Sequence, residues 1–151
     1  MNHTAPAPGI LIVDDNRNDH GRFEHLLRQA GVTNPLRFAG SGAVAISYLQ
    51  RLLLDRRHLA GQQLAVVLLA VRIPLPDGFS ILRWIREREI FSRTRMILLS
   101  RSALPSDFRQ AEELRADAYL LKHPKVDLAE FLRREVIPMC QSGLPPHSRR
   151  R

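Results

Sequence analysis

A chain of 151 residues with 44% hydrophobic and 25% charged residues has the length and balance of one globular domain, which excludes a fibrous or wholly disordered class. Its single cysteine, Cys140, excludes an internal disulfide and fits a reducing compartment, and no apolar run reaches the length of a membrane span. The net charge of +8 is compatible with nucleic acid or anionic membranes, but many of the arginines fall on predicted helices and read as solvated faces.

Residues 1–8 read as a disordered leader without the basic and apolar regions of a signal peptide, so a cytoplasmic location is expected. Ile10-Leu11-Ile12-Val13 is the first strand, and Asp14-Asp15-Asn16 ends it. Asn18 or Asp19 is the expected cap of the next helix, with Phe23, Leu26, Leu27 and Ala30 on its core face and Gly31 closing it. Pro35 to Ala39 is a weak outer strand. Gly40-Ser41-Gly42 then turns into a helix reaching about Arg57, with Ala43, Ile46, Leu49 and Leu53 facing the core. Residues 58–63 form a loop.

Val66-Val67-Leu68-Leu69-Ala70-Val71 is apolar without alternation, as suits a central strand buried on both faces. Pro74, Pro76 and Asp77-Gly78 force a turn after it. A third helix is expected to about Ile90, and Arg95 to Ser100 is the fourth strand. Leu104, Phe108 and Ala111 mark a fourth helix with Ser106 as its expected cap. Ala118 to Leu121 is the fifth strand, and a last helix ends near Pro138.

Strands alternating with helices five times predict an α/β, doubly wound, five-stranded parallel sheet with helices on both faces. The domain is expected over residues 9–139, with a basic disordered tail over 140–151 that ends in Arg149-Arg150-Arg151. Any output domain is expected on another chain. Right-handed crossovers and a reversal of strand order would gather Asp14-Asp15, Ala70, Ser100 and Lys122 around one crevice.

Val71, Ile73, Pro74, Asp77 and Gly78 match the central segment of bacterial response-regulator receiver domains, and the chain resembles that family over residues 9 to 137. The likeness is to the chemotaxis-regulator type, with a flavodoxin-like fold. More loosely, the chain is similar to the single-domain regulators that partner bacterial phytochromes. On this resemblance Asp14 and Asp15 correspond to the acidic pair that helps hold magnesium. Ser100 and Tyr119 correspond to the switch pair, and Lys122 to the lysine that pairs with a phosphoryl oxygen. The phosphate-accepting aspartate falls on Ala70. Phosphoryl transfer to such a site requires a carboxylate nucleophile, a hard cation and a neutralising lysine, and a methyl group cannot attack phosphorus.

Three further departures accompany Ala70. Arg72 takes the position whose backbone carbonyl completes the family's metal site. Arg101 replaces a small residue beside the hydroxyl. Lys122-His123-Pro124 interrupts the lysine-proline step, so that any cis bond there falls at His123-Pro124. Two carboxylates facing Lys122 and one of Arg72 or Arg101 would balance without a metal. No cofactor is therefore expected, with magnesium bound weakly if at all and Asp15 its ligand.

The function implied is a receiver-like, non-enzymatic signalling protein in a two-component phosphorelay, acting through protein contacts and not phosphorylated at the usual place. A histidine kinase, another signalling protein or a second copy is its expected partner, and the last two strands and helices are its expected surfaces. The alternatives are an ordinary phosphoacceptor carrying an aspartate-to-alanine substitution at position 70, and a phosphohydrolase using Asp14 or Asp15. Nucleic-acid binding through the tail lacks a recognition motif. Gly40-Ser41-Gly42-Ala43-Val44-Ala45 fits a loose dinucleotide fingerprint, but a tight strand-to-helix turn explains it better.

Overall fold

A computed structural model describes residues 8–55, 64–102, 104–122 and 127–138, except for the Leu128 side chain. The expected leader, the loop at 58–63, His123-Pro124 and the arginine tail lie outside the described residues, apart from Pro8.

The strands are β1 (Gly9–Val13), β2 (Leu36–Ala39), β3 (Leu64–Ala70), β4 (Arg95–Ser100) and β5 (Ala118–Leu121). They form one parallel sheet in the order β2-β1-β3-β4-β5. Helices α1 (Arg17–Gln29), α2 (Gly42–Leu54), α3 (Gly78–Arg86), α4 (Pro105–Glu113) and α5 (Leu128–Phe131) connect or follow them, and α5 continues as a π-helical stretch, Leu132–Val136.

The sheet is a partition between two cores. Val67 and Leu69 of β3 pack on the side of α2 and α3, with Leu49, Leu82 and Ile85. Val66 and Leu68 pack on the other side, with Phe23 and Leu27 of α1 and Leu132 and Val136. Both faces of the central strand are dry, which is why its sequence shows no alternation. The chain steps from β1 outward to β2, then returns past β1 to β3. The order therefore reverses between β1 and β3, and the carboxyl ends of those strands flank an open crevice.

Local chemistry sets the element ends, and some differ from expectation. Asn16 caps α1, its side chain accepting from the Asn18 N–H at 2.9 Å; Asn18 and Asp19 lie inside the helix. Leu104 stands at the start of α4 with Pro105 in the first turn, so Ser106 is not the cap. Helix α2 buries Ala45, Leu49 and Leu52, while Ala43 is exposed and Ile46 and Leu53 are only partly buried. Helix α3 stops at Arg86, and a short 3-10 turn, Glu89–Phe91, follows. The cis peptide among the described residues joins Leu75 to Pro76.

Two glycines bring the loops around the crevice close together. A Cβ on Gly42 would lie 1.9 Å from the Pro76 carbonyl oxygen, and one on Gly78 would lie 2.4 Å from that of Ala70. The glycine-rich turn before α2 is thus needed for backbone packing against the β3–α3 loop.

Candidate functional site

The crevice is an open cleft of about 380 Å³ lined by residues from four strand ends, among them Asp14, Asp15, Ala70, Ser100 and Lys122. Strand β1 delivers Asp14 into it, because the Asp14 N–H continues the β1–β2 ladder to the Ala39 carbonyl at 3.0 Å. The Asp14 side chain is buried and both its oxygens are engaged. Oδ1 accepts the Asn16 N–H at 3.0 Å, and Oδ2 accepts from Lys122 Nζ at 2.6 Å. Lys122 is placed by its own backbone, whose N–H donates to the Ser100 carbonyl at 2.6 Å.

The second partner of Lys122 is Asp19, not Asp15. Lys122 Nζ donates to Asp19 Oδ2 at 2.7 Å, while Asp15 is exposed and forms no ion pair among the described residues. Asp19 sits in the first turn of α1, where a carboxylate also favours the helix dipole. Sequence reading had placed it only as a candidate cap. The available signal was an acid in the helical turn that follows an acidic strand end. His20, the next residue, bonds the Asp14 carbonyl through Nε2 and stacks on Phe38, which ties α1 to the end of β1.

At the end of β3 the cleft is lined by the Ala70 methyl group. Arg72, two residues on, lines the rim but does not join the acidic pair. Its Nη2 donates to Asp107 Oδ2 of α4 at 2.6 Å. Arg101 is exposed and also lines the cleft. The compensating cation expected from Arg72 or Arg101 is therefore not in the cluster, which consists of Asp14, Lys122 and Asp19.

Ser100 is buried at the end of β4, and its Oγ accepts the Ser102 N–H at 3.0 Å. Tyr119 lies outside the cleft lining. Its hydroxyl donates to the Ser102 carbonyl at 2.9 Å, and its ring packs on Phe108 with centroids 4.5 Å apart. Both switch-type residues thus hold the segment that leads from β4 into α4.

The sequence matches the response regulator receiver domain family over residues 10–133. The chain belongs to the response-regulator receiver family. It is 31% identical over 119 residues to the transcriptional regulatory protein GltR of Pseudomonas aeruginosa, an alignment covering 79% of this chain and 44% of that protein. The chain thus spans less than half the length of that relative. It is 24% identical over 117 residues to the response regulator Rcp1 of Synechocystis, covering 78% of each. In fold it is similar to the manganese-bound form of Rcp1, with a TM-score of 0.75 and 23% identity over 91% of this chain and 99% of that one. It is also similar to the chemotaxis response regulator CheY4 of Vibrio cholerae, with a TM-score of 0.69 and 20% identity over 87% and 98% of the two chains. The five-stranded sheet with helices on both faces is therefore the receiver fold, and the chain is a receiver domain of the two-component signalling class.

Of the oxygens a magnesium ion would need, this cleft offers the carboxylates of Asp14 and Asp15 and no carboxylate at Ala70. Magnesium demands near-octahedral oxygen ligation. Among the described residues no group of three or more acidic, histidine or cysteine side chains is arranged to hold a metal. Asp14 already accepts from the Asn16 N–H and from Lys122, and β3 ends in a methyl group. No helix among the described residues is long and apolar enough to cross a membrane.

Proposed function

We propose that this receiver domain is a non-enzymatic, cytoplasmic signalling protein that works through protein contacts and is not phosphorylated at the end of β3. The observation that carries this reading is the methyl group of Ala70 lining a cleft whose buried carboxylate, Asp14, is bound by Lys122. The Asp14 side chain is only 2% exposed and is held by Lys122, which leaves a phosphoryl donor little access to its oxygens. Asp14 is thus no substitute acceptor, and a phosphohydrolase role for it is equally disfavoured. The Asp14–Lys122–Asp19 cluster replaces the metal: opposite charges about 4 Å apart gain roughly 4 kcal/mol at an effective dielectric of 20, before desolvation. A histidine kinase or another signalling protein is the partner class, with self-pairing as its alternative.

The test is acetyl phosphate with magnesium, applied to the wild type and to Ala70→Asp, and read by intact mass. Neither protein is expected to gain a stable phosphoryl group, because Lys122 and Asp19 still close the acidic corner. Stable labelling of Ala70→Asp would show an otherwise ordinary phosphoacceptor site that lacks only its aspartate.

A further inference from the structure

We propose that the Arg72–Asp107 ion pair is a built-in tie that holds the amino-terminal turn of α4 to the end of β3 across the rim of the cleft, fixing α4 in one arrangement without a phosphoryl group. This rests on the reading that no phosphoryl group forms at Ala70.

The attachment of α4 is thin. Of its nine residues only Asp107 and Ala111 are buried, while Phe108 is 41% exposed and Leu104, just before the helix, is 53% exposed. One of the two inward residues is thus an acid. Its side chain is only 7% exposed, and the Arg72 guanidinium meets it at 2.6 Å. A buried carboxylate left without its partner is strongly unfavourable, so Asp107 can stay inside only while Arg72 is there. Helix α4 also has no side-chain cap among the described residues.

The other contacts of this segment run back to β4 and β5. The Ser102 N–H bonds Ser100 Oγ, the Tyr119 hydroxyl bonds the Ser102 carbonyl, and the Tyr119 ring packs on Phe108. Arg72 adds a link of a different kind. It belongs to the loop that follows β3, thirty-five residues away in sequence, and its guanidinium is the half-exposed end of the pair. The tie therefore links the rim of the cleft at Arg72, just after β3, to α4, the helix that follows β4. Asp107 would favour the helix dipole in any case, but Arg72 has no such role, so replacing the arginine isolates the tie.

Amide hydrogen exchange of the full chain tests this, comparing wild type, Arg72→Gln, Arg72→Lys, Asp107→Asn and the double variant Arg72→Gln/Asp107→Asn. Arg72→Gln is expected to speed exchange of the α4 amides by about fivefold or more and to leave those of β1 and β3 unchanged, because sub-global opening is local. Arg72→Lys should restore part of the protection. The double variant should exchange α4 no faster than Arg72→Gln, since coupled partners are not additive. Unchanged α4 exchange in Arg72→Gln, or a change spread evenly over the sheet, would overturn the tie. Acetyl phosphate labelling tests Ala70 separately. A wild type labelled on another acid of the cleft, with α4 exchange that still responds to Arg72→Gln, would overturn the reading of the cleft as unphosphorylated and leave the Arg72–Asp107 contact standing.

Discussion

Lys122 Nζ lies 2.6 Å from Asp14 Oδ2, which joins the end of the fifth strand to the end of the first over a separation of 108 residues. β3 and β4 lie between those strands in the sheet, so this one contact closes the carboxyl edge over both. Asp19 holds the same ammonium from α1 at 2.7 Å. The cluster is a structural joint, and two of its members, Asp14 and Lys122, also line the cleft.

Replacing the lysine should therefore cost stability. Lys122→Met leaves Asp14 without its cation and Asp19 with only the exposed Arg22 at 3.9 Å, and a loss of about 3 kcal/mol is expected in urea unfolding, as for other broken buried pairs. Asp19→Asn should cost less, about 1 kcal/mol, because Asp14 keeps its partner. A Lys122→Met protein as stable as the wild type would show that the cluster contributes little.

A second buried ion pair sits at the opposite edge of the sheet. Asp117 Oδ2 accepts from Arg86 Nη2 at 2.9 Å and from the Met96 N–H at 2.7 Å, while Arg95 Nη1 lies 3.5 Å from Oδ1. Arg86 also donates to the carbonyls of Thr94 and Arg115. Burial holds the Arg86 guanidinium below its usual value, and Asp117 opposes that shift, so the group stays charged at neutral pH. Asp117→Ala removes the buried carboxylate that Arg86, Arg95 and the Met96 N–H share, and about 3–5 kcal/mol of destabilisation is expected by chemical denaturation. A loss under about 1 kcal/mol, the level of an exposed pair, would contradict the burial argument.

The glycine that opens α2 makes a steric prediction. Gly42→Ala drives a methyl group into the Pro76 carbonyl, and nothing flexible can yield there. About 2 kcal/mol or more should be lost, in the range of overpacked sites, and the melting temperature should fall accordingly. Nucleotides should not protect either protein in the same melt, since the turn exists for packing. Stabilisation of the wild type by a dinucleotide would reverse that view.

The physics that made the sheet legible is local. β1 and β3 are short, purely apolar runs bounded by turn residues, and such runs have few alternatives. The residues converging on the cleft followed from topology, since parallel strands present their carboxyl ends together. Partners of long side chains were not legible. Arg72 was expected as a cation balancing the acidic corner, because Asp107 is thirty-five residues away and nothing local links them. Asp19 was read as a cap because capping is a short-range contact; its bond to Lys122 spans 103 residues. The face of α2 was misjudged at Ala43, where a small residue carries little hydrophobic signal and Ala45 is the one turned inward. Capping failed in a similar way: Asn16, Asn18 and Asp19 are all good caps, and the fold uses the first.

The direct measurement of internal charge balance in the cleft is a magnesium titration of the wild-type chain, followed by the backbone amide shifts of Asp14, Asp15 and Asn16. With Lys122 occupying Asp14 and no oxygen at Ala70, the shifts are expected to drift slightly and without saturation through the millimolar range. Saturable binding at millimolar magnesium, with the Lys122 ammonium displaced from Asp14, would contradict it.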